Sequence, residues 1–183
     1  MSKAAILIAD GCEECEALIQ VDMLRRAGID IDMVSISGDR QVTSARNITF
    51  ICDRVLSDFD ADAYDAVILP GGMPGTIHLR DDARVISLIK KFNSEKKLVA
   101  AICAAPTVLG YAGILKGKNA TCYPGMEDGL TGAVKKTDPV VRDGNIITSR
   151  GLGTALPFAG AIIEYLTDAP AAKRVLDAVV YKN

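Results

Sequence analysis

The pattern that most constrains this fold is an alternation, along the whole chain, of short apolar runs with segments of helical periodicity. The apolar runs are KAAILIA at 3–9, IDIDMVSIS at 29–37, YDAVILPGG at 64–72, KLVAAIC at 97–103 and NIITS at 145–149. The helical segments are EECEALIQVDMLRRAG at 13–28, DDARVISLIKKFNSE at 81–95, GTALPFAGAIIEYLTD at 153–168 and APAAKRVLDAVVY at 169–181. Strands without a polar face are buried on both sides. The alternation therefore predicts an α/β fold in which helices cover both faces of a mostly parallel sheet.

One segment departs from this alternation. VTSARNITFIC at 42–52 carries β-branched residues and leaves no room for a crossover helix, which predicts a hairpin or a β-extension. No linker, internal repeat or low-complexity stretch interrupts the chain, and 183 residues suffice for one large core. We predict a single domain over residues 1–183.

Charge and hydropathy limit the partners that this chain is expected to bind. Its net charge is -2, 24% of its residues are charged, and its pI is near 5.4, so it has no basic surface for nucleic acid or anionic lipid. The apolar run Ala4–Ala9 is too short for a signal peptide, and no stretch is long enough to span a membrane. Five cysteines, an odd number, favour reduced thiols in a reducing compartment. We expect a cytoplasmic protein with a small-molecule partner.

Cys103 stands at the junction between a predicted strand and a predicted helix. Ala104 and Ala105 permit a tight turn, and Pro106 suits the first helical position, where no amide donor is needed. The arrangement resembles a nucleophile elbow, in which a strained backbone presents the reactive atom above the sheet. The start of the helix is expected to favour a thiolate and to bring the thiol pKa toward neutrality. The alternative is a cysteine that is simply part of the core.

Three loops at the carboxyl ends of predicted strands are chemically unusual. They read ADGCEECE at 9–16, PGGMPG at 70–75 and CAAP at 103–106. In a parallel sheet such loops line the ligand crevice, so they meet if their strands are neighbours. The PGG turn predicts inward-pointing amides that form an anion-binding nest or oxyanion hole, although an ordinary tight turn is the alternative. Neither a Walker pattern nor GxGxxG is present, which disfavours a phosphate-bearing cofactor.

Four motifs in order carry a resemblance to a known family. They are GCEECEALIQVDMLRRAGI, YDAVILPGG, LVAAICAAPT and IITSRGLGTALPFA. Together they closely resemble the DJ-1/ThiJ/PfpI superfamily, specifically the branch of the Parkinson-linked deglycase and its bacterial ThiJ-like relatives. The resemblance covers essentially the whole chain.

The resemblance implies a flavodoxin-like α/β sandwich with a reactive cysteine at the elbow, the position that Cys103 occupies. The acid partner of that cysteine, reached from the loop after the first strand, corresponds to Glu16. Gly71, Gly72 and the amide of Ala104 correspond to the backbone groups around the thiol.

The resemblance also implies an activity and an assembly. Members of this branch are described as glutathione-independent glyoxalases that convert methylglyoxal to lactate, and as deglycases that remove early glyoxal adducts from proteins or nucleic acids. They are also described as oxidative-stress sensors and chaperones, and they are usually homodimers. Arg26 and Arg46 correspond to basic residues that line the pocket or an anion site near the dimer interface. A small reactive carbonyl substrate is implied, with no cofactor and no metal.

Negative charges on Glu16 and Cys103 should repel each other. Two unit charges about 4 Å apart at an effective dielectric constant near 20 repel by about 4 kcal/mol, so the thiolate and the carboxylate should not both be charged. We predict that Glu16 is held protonated, donates a hydrogen bond to the Cys103 sulfur and moves protons as general acid and base. The same hydrogen bond would favour a sulfinate. The alternative for Glu16 is an exposed glutamate that serves the helix dipole.

The chain departs from the family pattern in its histidines. Its single histidine, His78, follows the GGMPG turn on what should be the solvated surface of a short helix. Tyr123 occupies a position where better-studied glyoxalases often carry a histidine, so it either donates a hydrogen bond to the substrate carbonyl or is a packing residue. Ala104 stands where the protease-like branch has a histidine. Peptidase and amidotransferase activities are therefore disfavoured.

The CEEC segment from Cys12 to Cys15 is a weak zinc signal, because it lacks a second pair of ligands. Packing or solvent contact is the plain interpretation. The sharper alternative is that Cys12 forms a disulfide with oxidised Cys103 and protects it from further oxidation. Cys52 and Cys122 are expected to be structural.

Two functions remain open from the sequence. The first is a cofactor-free cysteine enzyme acting on reactive dicarbonyls, in which Cys103 adds to the aldehyde, Glu16 moves a proton between the two substrate carbons, and the Gly72 and Ala104 amides stabilise the oxyanion. The second is a redox-responsive or chaperone-like protein whose signal is Cys103 oxidation. Multiple turnover of methylglyoxal distinguishes the two.

Overall fold

A computed structural model describes residues 2–182 of the chain. Eleven strands run in chain order as β1 (Lys3–Ile8), β2 (Asp30–Ser35), β3 (Gln41–Thr43), β4 (Thr49–Ile51), β5 (Arg54–Val55), β6 (Ala66–Leu69), β7 (Leu98–Ile102), β8 (Asn119–Ala120), β9 (Val134–Lys135), β10 (Val140–Asp143) and β11 (Ile146–Ser149). The α-helices are α1 (Glu14–Arg26), α2 (Gly75–Asp81), α3 (Ala83–Ser94), α4 (Pro106–Tyr111), α5 (Ala155–Leu166) and α6 (Ala169–Ala178).

Seven strands form the central sheet in the order β10-β11-β7-β6-β1-β2-β5. Every pair in it is parallel except β10 with β11, which are antiparallel. In the centre Ile6 of β1 lies opposite Ile68 of β6, which lies opposite Ala100 of β7. The sheet confirms the predicted flavodoxin-like α/β architecture with a mostly parallel sheet.

The two faces of the sheet bury two separate cores. Alternation along β1 places Ala4, Ile6 and Ile8 in one core, which is completed by apolar residues of α1, α5 and α6. Ala5 and Leu7 enter the other core, which is completed by residues of α2, α3 and α4. Successive side chains of a strand point to opposite faces of the sheet. Because helices cover both faces, both rows of side chains on each central strand are buried. This explains why the strands read as continuous apolar runs.

The segment at 42–52 forms the predicted hairpin, in which β3 pairs antiparallel with β4. The sequence missed β5, β8, β9 and β10. Three of these have only two residues, which is too short for a periodic signal. β10 is an edge strand that turns tightly into β11 through Gly144, whose φ is +64°. Between Ser2 and Lys182, none of the helices is both long and apolar enough to cross a bilayer.

Candidate active site

The carboxyl ends of β1, β6 and β7 meet at one edge of the sheet, because these three strands are direct neighbours. This confirms the prediction that the three unusual loops come together. Backbone hydrogen bonds join the loops after β1 and β6: Glu13 N donates to Gly71 O at 2.8 Å and Gly75 N donates to Gly11 O at 3.1 Å. A ligand crevice at this edge is the usual consequence of such a topology.

Cys103 has the strained backbone that a nucleophile elbow requires. Its φ is +64°, in the left-handed region that residues with a Cβ rarely adopt. The strain is held from both sides, since Cys103 N donates to Ser149 O at 3.0 Å and Tyr123 N donates to Cys103 O at 2.8 Å. Pro106 begins α4, as predicted. The Cys103 side chain remains partly exposed above the sheet.

Glu16 lies beside Cys103 and is almost completely buried, with 1% of its surface exposed. It belongs to the first turn of α1, whose N-cap residue Glu13 accepts a hydrogen bond from Glu16 N at 2.6 Å. The N–H of Gly71 donates to Glu16 Oε2 at 3.0 Å, and the backbone of Leu152 donates to the same carboxyl group. The helix cap and these donors fix the carboxyl group next to the sulfur.

Gly71 is required by the closeness of these two side chains. A Cβ placed on Gly71 would lie 2.6 Å from Cys103 Cβ, 2.7 Å from Glu16 Oε2 and 3.1 Å from Cys103 Sγ. Gly72 is constrained from the other side, because its φ is +92° and a Cβ would lie 2.2 Å from Glu13 N. The PGG turn is therefore packed between the loop after β1 and the catalytic cysteine candidate.

Burial governs the protonation of the pair. It raises the pKa of Glu16 to about 7, although hydrogen bonding to Cys103 and to the N–H groups of Gly71 and Leu152 acts in the opposite direction. Burial also raises the pKa of the Cys103 thiol to about 12, and the charge of Glu16 adds to this effect. Coupled groups titrate as a pair, so Glu16 and Cys103 hold one shared proton above about pH 7.

The expectation that the helix start alone brings the Cys103 pKa toward neutrality is wrong. α4 has only six residues, and the loss of hydration around the sulfur outweighs its dipole. The N–H groups of Ala104 and Gly72 do lower the thiol pKa, but by less than burial and Glu16 raise it. A thiolate at this position therefore depends on Glu16 keeping the proton.

The backbone donors divide into two sets. Ala104 and Gly72 present their N–H groups to the sulfur. The N–H of Gly71 is taken by Glu16, which corrects the prediction that Gly71 belongs to the oxyanion group. Among the three predicted, the Gly72 and Ala104 amides are therefore the ones that act on the Cys103 sulfur.

Arg26 does not border the thiol within the described chain. It is in the last turn of α1 and pairs with Asp22 at 2.7 Å, about 15 Å along the helix axis from Glu16. Its assignment to the substrate pocket of its own chain is therefore corrected. Arg46 is exposed in the turn between β3 and β4, where its Nη1 donates to Ala45 O at 3.4 Å. A pocket role for Arg46, and a role of either arginine at an anion site near a dimer interface, stay predictions.

Tyr123 and His78 differ in their relation to the site. Tyr123 is joined to Cys103 through its backbone, and its ring lies about 3.5 Å from where a Cβ of Gly151 would be. Half of its surface is exposed, so it borders the site rather than packing in the core. His78 is on the exposed surface of α2, where Nδ1 lies 2.9 Å from Asp10 O. This agrees with the predicted surface position of His78.

Cys12 is fully buried, and burial raises the pKa of its thiol to about 12. The backbone of Cys12 packs against Gly72, and the adjacent Gly71 faces Cys103. The PGG turn therefore lies between the loop that holds Cys12 and the loop that holds Cys103. All five cysteines are free thiols. Over residues 2–182 no three His, Cys, Asp or Glu side chains come together as a metal site.

Three contributors to the site were missed from the sequence. They are the cap Glu13, the carbonyl of Ser149 and the N–H of Leu152. Two of them act through the backbone, which leaves no side-chain signature. Glu13 had the available signal of an acidic residue just before a helix, where such residues cap the free N–H groups.

Comparisons with known proteins agree with this geometry. Residues 2–165 match the family model described as the DJ-1/PfpI family. Protein dj-1beta of Drosophila melanogaster is 43% identical over 169 residues, covering 91% of this chain and 90% of that protein. The Parkinson disease protein 7 homolog of Danio rerio is 37% identical over 185 residues, covering 99% and 98%. The solved structure of oxidized Toxoplasma gondii DJ-1 has a TM-score of 0.96 and 33% identity over 100% of both chains. With the family model matched over nearly its whole length, this chain belongs to the DJ-1/PfpI family.

Proposed function

We propose that this protein is a cofactor-free cysteine enzyme that converts methylglyoxal-type 2-oxoaldehydes to 2-hydroxyacids, or removes their early adducts from proteins, and so protects against carbonyl and oxidative stress. The observation that carries the proposal is the buried Glu16 carboxyl group beside the Cys103 sulfur. Burial holds the Glu16 pKa near 7, so one side chain can both give and take a proton at neutral pH.

In the first step the Cys103 thiolate attacks the aldehyde carbon of the substrate. A C–S bond forms, the carbonyl π bond opens, and the resulting alkoxide takes the proton of Glu16 to give a neutral hemithioacetal. The N–H groups of Gly72 and Ala104 stabilise the negative oxygen as it develops.

In the second step the Glu16 carboxylate removes the hydrogen from the former aldehyde carbon and an enediolate forms. A proton passes from the hydroxyl of that carbon to the oxygen of the neighbouring carbon, and Glu16 returns its proton to the neighbouring carbon. The carbonyl re-forms as a thioester of Cys103. Water then cleaves the thioester, which releases the 2-hydroxyacid as its carboxylate together with one proton and restores the pair with its one proton. No oxidant or reductant is needed.

The test is loss of methylglyoxal together with formation of lactate in buffer without glutathione. We expect many turnovers for the wild type, and a fall of roughly a hundredfold or more for Cys103→Ser and Glu16→Gln. Cys15→Ser is the matched control, because Cys15 is an exposed free thiol on α1 and should keep full activity. Consumption of one equivalent or less by the wild type would refute the proposal.

A second function is supported by the exposure of the thiols. Cys12, Cys52 and Cys122 are buried, which leaves Cys103 and the exposed Cys15 accessible. Only Cys103 of these two has backbone N–H groups beside its sulfur. A sulfinate at Cys103 would accept hydrogen bonds from protonated Glu16 and from the same two amides, so oxidation could serve as a signal. Mass spectrometry after dilute peroxide tests this proposal and the Cys12 disulfide together. A Cys103 sulfinate without a disulfide would remove Cys12 as a partner, and an unmodified Cys103 would remove the sensor function.

We also propose that the protein acts as a homodimer. Three exposed apolar residues support this, namely Leu18 of α1 (38% exposed) with Ile48 (49%) and Ile51 (55%) of the β3–β4 hairpin. A second copy of the chain would bury them. Light scattering should give twice the chain mass for the wild type and a smaller mass for Leu18→Asp. A wild type that stays monomeric at high concentration would contradict this proposal.

A further inference from the structure

A groove between α2 and α4 lies beside the elbow and has no role in the steps described above. Its volume is about 320 Å³, within the size range of small-ligand pockets. Three apolar side chains line it, Met73 (48% exposed), Ile77 (38% exposed) and the half-buried Met126. A monomeric protein has no structural need to present these side chains together to solvent.

Several residues that line the groove adjoin the candidate active site along the chain. Met73 directly follows Gly72, whose N–H faces the Cys103 sulfur. Thr107 lies one turn along α4 from the elbow, and its hydroxyl donates to Ala104 O at 2.7 Å. Gly125 and Met126 follow Tyr123, whose N–H is bonded to Cys103 O. Each of the three chain segments that line the groove therefore lies next in the sequence to a group that contacts the elbow.

The charged side chains of the groove are paired, and Asp128 is paired with Lys135 at 2.8 Å. Arg80 pairs with Asp81 at 2.8 Å and stacks over the Tyr111 ring, 6.0 Å from its centroid. Thr76 is 3% exposed, and its hydroxyl has no hydrogen-bond partner. The surface that a ligand meets is thus mainly thioether and aliphatic, which suits an apolar group of variable shape.

We propose that this groove receives the apolar substituent carried by the ketone carbon of a 2-oxoaldehyde bound covalently to Cys103. The inference rests on the proposed function and adds a substrate preference to it. The protein turns over 2-oxoaldehydes with a bulky apolar substituent more efficiently than methylglyoxal, whose single methyl group leaves the groove empty.

The experiment compares phenylglyoxal with methylglyoxal as substrates, without glutathione. The wild type is expected to have the higher kcat/KM for phenylglyoxal. In Ile77→Asp a charge enters the groove, so the ratio of the two kcat/KM values should fall roughly tenfold while the value for methylglyoxal stays within about twofold. Ile77→Ala, which cannot disturb folding through an added charge, should lower the ratio in the same direction.

Val180→Asp is the matched control, because Val180 is also an exposed aliphatic residue and follows α6, on the sheet face opposite the groove. Its substrate ratio should equal that of the wild type. Turnover of both substrates with an unchanged ratio in the Ile77 variants would overturn this inference and leave the proposed function in place. Absence of turnover with either substrate would refute the proposed function, and this inference with it.

Discussion

Cys103 combines backbone strain with an unfavourable environment for its own charge. A left-handed residue with a Cβ costs about 1–2 kcal/mol, and burial raises the thiol pKa to about 12. The raised thiol pKa is shared by the buried Cys12, whereas the strained backbone is not needed by a cysteine that only packs in the core. Glu16 is the group that makes a Cys103 thiolate possible in the proposed function. A neutral carboxyl group beside the sulfur removes the repulsion between carboxylate and thiolate and supplies a proton donor.

The strain at Cys103 can be measured with two variants that both lack the thiol. Glycine normally destabilises a structured position by roughly 0.5–1 kcal/mol relative to alanine, but it adopts a positive φ without cost. We therefore expect Cys103→Gly to be at least as stable as Cys103→Ala in urea unfolding. A Cys103→Gly protein less stable by about 1 kcal/mol or more would contradict the strained elbow.

The loops after β1 and β6 are joined by backbone hydrogen bonds, and the loop after β7 packs against them through the Cys103 side chain. Sequence reasoning predicted that they meet, since apolar strands and the positions of their loops can be read from residue types. It did not predict that the Gly71 amide is committed to Glu16, or that Leu152 completes the carboxyl site. Those contacts depend on how loops distant in sequence approach one another, and backbone donors carry no residue-type signal.

The arginines illustrate a different limit. Arg26 and Arg46 were assigned by resemblance, which aligns positions but does not say where the side chains lie within one chain. The ten helical steps from Glu16 to Arg26 separate them by about 15 Å. The resemblance was therefore reliable at the elbow, where the motif included its own structural frame, and not at Arg26, where it rested on a single charge.

The contact between loops predicts a specific failure. Gly71→Ala places a Cβ 2.6 Å from Cys103 Cβ and 2.7 Å from Glu16 Oε2, so the turn must move. We expect a loss of about 1–3 kcal/mol in the free energy of unfolding, with loss of turnover. Gly38→Ala is the control, since a Cβ there meets nothing within 4 Å. Equal stability of the two variants would show that the turn is not packed as described.

The buried carboxyl group also affects the stability of the whole molecule. Because the folded-state pKa of Glu16 is raised from 4.5 to about 7, the folded protein binds more protons than the unfolded chain between these values. Its contribution is therefore complete below about pH 4.5 and is lost as the pH rises through about 7. The loss amounts to at most about 3 kcal/mol.

This linkage is isolated by comparing the wild type with Glu16→Gln. The unfolding free energy of the wild type, minus that of the variant, should decrease between pH 5 and pH 8, because glutamine does not titrate. Subtraction cancels the titration of surface carboxylates that both proteins share. A difference that is constant over this range would show that Glu16 is not held protonated by the fold.

The pH dependence of kcat/KM for lactate formation from methylglyoxal tests the shared proton most directly. The active form is the pair with one proton, so the wild type should gain activity through an apparent pKa near 7 and then keep it to at least pH 9. Glu16→Gln should lose both the activity and this titration. Activity that is independent of pH between 5.5 and 8, or an unchanged profile in Glu16→Gln, would contradict the assignment of Cys103 and Glu16 as one catalytic unit.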